Sequence, residues 1–102
     1  MSDKNAMLSS VPEVRFARSA TRHRIPKDPI RHVIDHCTVR FEEAAPAGEP
    51  GSRSIRLVYL GADATGQVLE VMAVELEDGD LLVIHAMPLR NKYRKQYEEV
   101  RK

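Results

Sequence analysis

The segment 67–95 constrains the fold more than any other part of the chain. Residues 67–76 are mostly apolar and rich in valine, an Asp-Gly pair then marks a tight hairpin turn, and residues 81–86 form a nearly continuous apolar run. Strands joined by so short a turn are antiparallel, and an apolar run of this kind is typical of a central strand. Pro88 predicts the start of a basic helix. Two antiparallel strands are therefore expected to lead directly into that helix.

Weaker patterns complete an α+β arrangement. Asp28-Pro29 predicts a helix start, with a capping carboxylate followed by proline at the first helical position. The expected order is N-terminal helices, an antiparallel β-meander of about four strands, and a C-terminal helix. The other predicted elements are a short edge strand at 14–16, a weak helix at 17–23, and strands at 38–43 and 54–61.

Alternation assigns the residues of two predicted strands to faces, because successive strand side chains point to opposite sides. In the strand at 54–61, one face carries Ile55, Leu57 and Tyr59, and the opposite face carries Arg56, Val58 and Leu60. In the strand at 67–76, one face carries Val68, Glu70, Met72 and Val74, and the opposite face carries Leu69, Val71, Ala73 and Glu75. In the C-terminal helix, Tyr93 and Tyr97 share the spacing of Leu89, which predicts core positions rather than base-stacking ones. Tyr59 is expected in the core as well.

Length and composition predict one domain. Of the 102 residues, 1–12 are expected to be a disordered leader, 13–102 the single domain, and 44–52 a loop rich in Ala, Pro and Gly. No run of 18 apolar residues is present, so no membrane span is expected, and the first ten residues lack the apolar stretch of a secretory signal. The single Cys37 fits a reducing, cytoplasmic location.

The charges are segregated along the chain although the net charge is only +1. Residues 15–40 carry +5, residues 41–80 carry −7, and residues 81–102 carry +4. If the fold brings the two basic segments together, they would form a face that attracts nucleic acid or an acidic partner. The alternative is that both are helices with ordinary solvated faces, and charge alone does not decide between the two.

Three ordered stretches resemble the BrnT family, compact ribonuclease toxins with a RelE-like fold from type II toxin–antitoxin operons. The stretches are Val14-Arg15-Phe16 with Arg22-His23-Arg24-Ile25, Arg56-Leu57-Val58-Tyr59-Leu60-Gly61, and Val83-Ile84-His85-Ala86-Met87-Pro88 followed by Arg90, Lys92, Tyr93, Arg94 and Tyr97. The resemblance implies a RelE-like fold and a cytoplasmic endoribonuclease that blocks translation. It also implies RNA, such as mRNA, as substrate and a cognate antitoxin as partner, with a possible hetero-oligomer between them.

The chain departs from that family at three positions. The family usually has Ser where this chain has His85, and Arg where it has Met87, so the nearest Arg is Arg90. Arg24 stands where a turn Gly is usual. If the family's Arg is needed for cleavage, catalysis is either transferred to Arg90 or His85, or weakened.

The candidate catalytic residues are His85, Arg90 and His23. RNA cleavage without a metal needs a base for the 2′-hydroxyl, cations for the phosphate, and an acid for the leaving oxygen. Imidazole titrates near neutral pH, so His85 and His23 could be base or acid. Arg90 could hold the phosphate with its planar fork of donors. The alternatives are a core histidine for His85 and a polar helix-end residue for His23.

The candidate nucleic-acid-binding residues are Arg22, Arg24, Arg56, Lys92 and Arg94. Arg90 and Arg94 are expected on one face of the helix, with Arg94–Glu98 as an ordinary ion pair in the alternative interpretation. Arg56 is expected to pair with Glu70 or Glu75, although it could instead reach an RNA phosphate.

No cofactor or metal is expected, because the chain has no His/Cys set at metal-ligand spacing and no Gly-rich phosphate loop. The rival hypothesis is a non-catalytic interaction module that has kept the fold, which Met87 favours. A nucleic-acid-binding regulator is the third hypothesis, and only the charge segregation supports it.

Overall fold

The computed structural model describes residues 13–44 and 55–101 and confirms the α+β class. The predicted leader and nearly all of the predicted 44–52 loop lie outside this range. The elements in chain order are β1 (Val14–Phe16), a short 3-10 helix (Arg18–Thr21), α1 (Lys27–His36), β2 (Val39–Ala44), β3 (Ile55–Ala62), β4 (Val68–Glu75), β5 (Leu81–Pro88) and α2 (Asn91–Arg101).

The strands form one sheet in the order β1-β5-β4-β3-β2. β2 to β5 make the predicted antiparallel meander, and β1 is the predicted edge strand. However, β1 pairs with β5 in parallel, with Val14 opposite Leu81 and Phe16 opposite Val83. The described sheet is therefore mixed and has five strands. A short isolated strand carries no turn that would identify its partner or its direction, so the sequence could not predict this pairing.

The predicted start of the first helix is wrong by two residues. α1 begins at Lys27, with the extended Pro26 at the cap position. Asp28 therefore makes no capping bond and lies in the first turn, where its charge complements the helix dipole and pairs with Arg31 at 3.4 Å. Pro29 also lies within this first turn, where a missing N–H costs no helical hydrogen bond.

The predicted start of the second helix is also wrong. β5 continues to Pro88, which lies opposite Leu69 at the end of the β4–β5 ladder. The N–H of Leu89 then donates to the carbonyl of Val68 at 3.0 Å, which holds the chain on the sheet for one more residue. Consequently α2 begins only at Asn91, and Arg90 lies immediately before the helix instead of on its first turn.

In the described part of the chain, each face of the sheet carries one α-helix, and the clusters on the two faces confirm the predicted face assignments of the buried apolar residues of β3 and β4. On one face, Ile30 and Val33 of α1 pack in a cluster that includes Tyr59 and Val71. On the other, the α2 tyrosines pack on Val58, Leu60 and Met72. Tyr59, Tyr93 and Tyr97 are all buried, as predicted for core residues.

Gly61 allows β3 to pass close to the connection between α1 and β2. A Cβ atom at this position would lie 2.9 Å from the Cα of Cys37, which is closer than real contacts allow. Burial raises the pKa of the Cys37 thiol, so it is a weaker nucleophile than an exposed cysteine.

Among the described residues, no helix is long and apolar enough to cross a membrane.

Candidate functional site

A β-bulge in β5 directs His85 away from the core under α1. On β5, Val83 lies opposite Ala73 and Ala86 lies opposite Val71. Val83 and Ala86 are three residues apart, yet both pack in the cluster beneath α1. Residues three apart lie on opposite faces of a regular strand, so the two residues between them must break the alternation. The register shifts at this point, between Met72 and Ala73 on β4. An extra residue of this kind is a common means of re-aiming a side chain next to a functional site.

Both residues of the bulge, Ile84 and His85, line a cleft on the α2 side of the sheet, with a volume of about 460 Å³. Its floor is formed by the central strands, and its two sides by the 3-10 segment and the start of α2. The lining residues are Ser19, Arg22, His23, Arg56, Met72, Ile84, His85, Met87, Arg90 and Lys92. The fold therefore brings basic residues from both ends of the described chain to one place, as one of the two interpretations of the charge segregation predicted.

Glu70 connects the two main site residues beneath the cleft. Its side chain is fully buried in β4. His85 Nε2 lies 2.9 Å from one carboxylate oxygen, and Arg90 donates to the same oxygen through Nε at 2.7 Å and Nη2 at 2.6 Å. The backbone N–H of Arg90 donates to the other oxygen at 2.8 Å. One buried carboxylate thus holds the bulge of β5 and the residue that precedes α2.

The charge on Glu70 is stabilised by these partners. Burial alone would raise the pKa of the carboxyl, because a low-dielectric environment disfavours the charged form. The hydrogen bonds from His85 and Arg90 outweigh burial and lower the pKa of Glu70 to about 2. Glu70 is therefore ionised at neutral pH. The same carboxylate raises the pKa of Arg90, chiefly through the side-chain hydrogen bond.

The imidazole ring of His23 lies next to that of His85 in the cleft. Their ring centroids are 5.9 Å apart and their planes lie at 72°. The 3-10 helix brings His23 there: Ser19 Oγ donates to the carbonyl of Ile84 at 2.7 Å, and the N–H of Ala17 donates to the carbonyl of Val83 at 2.9 Å. One bond ends on the bulge and the other on the residue before it, so the two histidine-bearing segments are attached to each other.

The backbone at Arg24 explains the turn that follows His23. Arg24 has a φ of 60°, in the left-handed region that favours glycine. Its N–H donates to the carbonyl of Thr21 at 3.0 Å. Arg24 therefore occupies a conformation that suits glycine, and the turn is strained because this residue carries a side chain.

The predicted partner of Arg56 is wrong: it pairs with Glu43, and not with Glu70 or Glu75. Arg56 and Glu43 lie directly opposite each other in the β2–β3 ladder, which places their side chains on the same face. The hydroxyl of Tyr93 also donates to Glu43, at 2.9 and 3.1 Å from its two oxygens. Glu70 is already held by His85 and Arg90.

The structure brings most, but not all, of the predicted site residues together. His85, Arg90 and His23 line the cleft, as do Arg22, Arg56 and Lys92. Arg24 does not line it, and neither does Arg94, which instead contacts Asn91 at 3.3 Å and Glu98 at 3.8 Å. Since Arg90 precedes α2, the expected shared helical face of Arg90 and Arg94 is wrong.

Two polar residues of the site, Glu70 and Ser19, were not predicted from the sequence as site residues. Glu70 does have a signal, because it is the one charged residue inside the apolar stretch from Val68 to Val74. A charged residue in such a strand is informative, since carboxylates are rarely fully buried unless they are paired. Ser19 has no comparable signal, because its role depends on the unpredicted position of the 3-10 helix against β5.

Comparisons of the chain with models of protein families, with curated proteins and with solved structures found no significant match. Within residues 13–44 and 55–101, no group of three or more His, Cys, Asp or Glu side chains is arranged to hold a metal ion.

Proposed function

We propose that the protein is an endoribonuclease that cleaves RNA by transesterification at the cleft between the 3-10 helix and α2. The observation that carries this proposal is the pair of imidazoles from His23 and His85, whose centroids are 5.9 Å apart in a cleft lined with cationic side chains. Two imidazoles can divide the roles of acid and base near neutral pH.

The proposed reaction needs only groups that line the cleft. One imidazole takes the proton of an RNA 2′-hydroxyl, and the oxygen attacks the adjacent phosphorus. The bond from phosphorus to the 5′-oxygen of the next nucleotide breaks, and the second imidazole gives that oxygen a proton. The products are a 2′,3′-cyclic phosphate end and a 5′-hydroxyl end, and no water or metal is consumed.

Cations at the cleft would stabilise the charge that grows on the phosphate. Arg90 is held beside His85 by Glu70, while Arg22 and Lys92 line the two sides. Preorganised cations in a site partly removed from water contribute much of the rate enhancement in this kind of reaction. A volume of about 460 Å³ can hold a nucleotide unit, since small-molecule sites span roughly 300–1,000 Å³.

The wider role that we propose is that of a BrnT-like toxin acting in the cytoplasm, which blocks translation by cleaving RNA and is neutralised by a cognate antitoxin. The support for this step is the resemblance of the three sequence stretches, together with the position of His23, His85 and Arg90 in one cleft. Induced expression in a bacterial host, compared with a His85→Ala, Arg90→Ala double mutant, would test it. Growth arrest with RNA decay in the wild type alone is expected.

Purified protein provides the direct test of the activity. A single-stranded RNA is incubated with the protein in the presence of a chelator, and the ends of the fragments are identified by mass spectrometry. Cleavage to cyclic-phosphate ends is expected for the wild type, and a loss of about 10²-fold or more for His23→Ala and for His85→Ala. The matched controls are His32→Ala and His36→Ala, because these histidines lie on α1 and not in the cleft.

A second candidate function is a non-catalytic interaction or nucleic-acid-binding module. Two observations favour it: Met87 lines the cleft where the BrnT-like pattern has Arg, and Glu70 already occupies Nε and Nη2 of Arg90. In that case the wild type would leave RNA intact while binding it in a salt-sensitive manner, because phosphate contacts release counterions. RNA ends that match those of a protein-free control would therefore support this second function.

A further inference from the structure

We infer that Glu70 is the positioning residue that divides the roles of the two histidines, making His85 the base through Nδ1 and His23 the acid. This inference rests on the proposed ribonuclease function and deepens it. It assigns a role in the reaction to a residue that neither the sequence motifs nor the resemblance singled out.

The tautomer of His85 follows from its contact with Glu70. An ionised carboxylate can only accept hydrogen bonds, so the nitrogen 2.9 Å from it, Nε2, must carry the proton. In the neutral ring, Nδ1 is then the only nitrogen that can take a proton. When it does so, the resulting imidazolium keeps its Nε2–H bond to the fully buried carboxylate of Glu70. Glu70 thus prepares His85 to act as a base.

Glu70 positions Arg90 at the same time. The guanidinium donates to Glu70 through Nε and Nη2, and the Arg90 backbone N–H donates to the other oxygen. Because the side chain and the backbone are both held, Arg90 is fixed beside His85 at the rim of the cleft. A guanidinium fixed in this way loses little further freedom when it binds a phosphate.

A purely structural role explains these contacts less well. β4 is otherwise apolar between Val68 and Val74, and its apolar residues pack in the hydrophobic clusters on the two faces of the sheet. Replacing a buried ion pair by apolar residues is often neutral or stabilising, so folding alone does not require this charge. The carboxylate of Glu70 contacts His85 and Arg90, which both line the cleft. This arrangement is expected of a residue that orients catalytic groups.

His23 is left with the role of the acid. It lies on the exposed side of the cleft, with its ring edge-on to that of His85. In the cleavage step, His85 Nδ1 takes the proton of the 2′-hydroxyl and protonated His23 delivers a proton to the departing 5′-oxygen. After product release, His85 returns its proton to solvent and His23 takes one up, so protons balance over the cycle.

Two substrates separate the acid from the base. A dinucleotide has an alkoxide leaving group that needs a proton, whereas a uridine 3′-(4-nitrophenyl phosphate) ester has a leaving group that does not. His23→Ala is expected to lose about 10²-fold in kcat on the dinucleotide and less than about 10-fold on the aryl ester. His85→Ala is expected to lose about 10²-fold or more in kcat on both substrates, and Glu70→Gln about 10-fold or more. Glu75→Gln, at the exposed end of the same strand, serves as the control.

Nitrogen-15 NMR of the histidine rings gives a readout that does not depend on activity. The wild type is expected to show His85 as the Nε2–H tautomer at neutral pH, and Glu70→Gln is expected to lose this preference. Glu43→Gln should retain it, because Glu43 contacts Tyr93 and Arg56 instead. Glu70→Asp keeps the charge and is expected to recover part of both the tautomer preference and the rate. This variant also tests the inference if Glu70→Gln does not fold.

The outcomes separate the inference from the function on which it rests. An active wild type with His85 as the Nδ1–H tautomer, or a folded Glu70→Gln variant with unchanged kcat on both substrates, would overturn the role of Glu70 alone. A wild type that cleaves neither substrate would overturn the proposed function and, with it, the division of roles.

Discussion

The hydroxyl of Tyr93 on α2 donates a hydrogen bond to the carboxylate of Glu43 on β2, with oxygen–oxygen distances of 2.9 and 3.1 Å. The same carboxylate pairs with Arg56 on β3, so one group joins a helix to two strands. Burial and the bond to Glu43 raise the pKa of Tyr93 to about 12. Burial opposes ionisation of Glu43, but hydrogen bonds from Arg56 and Tyr93 lower the pKa of its carboxyl overall.

Removing this hydroxyl tests how firmly α2 is attached. Tyr93→Phe keeps the buried ring and deletes one bond to a charged acceptor, so we expect a loss of about 1–2 kcal/mol in the free energy of unfolding. Urea unfolding at pH 7 measures it. A double-mutant cycle with Glu43→Gln isolates the pair, and a coupling energy near zero would show that the contact does not hold the helix.

Acid stability should depend on Glu70. Its carboxyl has a folded pKa of about 2 against an ordinary value of 4.5, so the unfolded chain binds a proton first as the pH falls. The contribution is complete above pH 4.5, is lost as the pH falls towards 2, and amounts to about 3 kcal/mol.

The measurement is urea unfolding at pH 7, 4.5 and 3, combined with a carbon-13 NMR titration of the Glu70 carboxyl. We expect a midpoint near 2 in the wild type and a smaller loss of stability below pH 4.5 in Glu70→Gln. A midpoint close to the ordinary value would mean that the contacts with His85 and Arg90 do not form in solution.

The hairpins, the core tyrosines and the place of His85 near the basic helix were predictable because local chemistry determines them. An Asp-Gly pair fixes a turn, and helical spacing fixes the buried face of Tyr93 and Tyr97. By contrast, α2 starts later than Pro88 predicts because pairing with β4 outweighs the helix preference of a proline at that position.

Interactions between distant parts of the chain could not be predicted from the sequence. The parallel pairing of β1 with β5, the bulge at Ile84 and His85, and the Glu43–Arg56 pair all depend on register between strands. A one-residue change in register moves a side chain to the other face of the sheet, and the sequence of a single strand does not specify its register with the neighbouring strand. Regular alternation would have placed His85 on the face opposite Ile84, away from the cleft.

Ser19 should be important for the geometry of the cleft. Its hydroxyl donates to the carbonyl of Ile84 at 2.7 Å and attaches the segment that carries His23 to the bulge. We expect Ser19→Ala to cost about 1 kcal/mol and to lower RNA cleavage several-fold, because the two imidazoles would no longer be held at a fixed distance.

Thr21→Ala is the matched control for Ser19. Thr21 Oγ1 donates to the carbonyl of Arg18 at 2.8 Å, a bond within the 3-10 helix that does not reach β5. The two variants are compared by urea unfolding, by hydrogen exchange of the amides in 17–24, and by cleavage rate. Equal effects of the two variants on cleavage would mean that the bond to Ile84 does not position His23.

Arg24 should be a site where a single substitution stabilises the protein. Its φ of 60° lies in the left-handed region, which costs a residue with a Cβ atom roughly 1–2 kcal/mol relative to glycine. Glycine also has more freedom to lose on folding, which offsets about 0.5–1 kcal/mol of that gain. We expect Arg24→Gly to raise the free energy of unfolding by about 0.5–1 kcal/mol, measured by urea unfolding.

Arg22→Gly is the control for backbone strain, because Arg22 has a φ of −57° and has no such strain to relieve. That variant should be less stable than the wild type by about 0.5–1 kcal/mol, since only the entropy term changes. Arg24 does not line the cleft, so Arg24→Gly should leave the rate of RNA cleavage within about twofold of the wild type while Arg22→Gly lowers it. A large loss of cleavage in Arg24→Gly would instead assign Arg24 to the RNA-binding surface and imply that its strained backbone serves that contact.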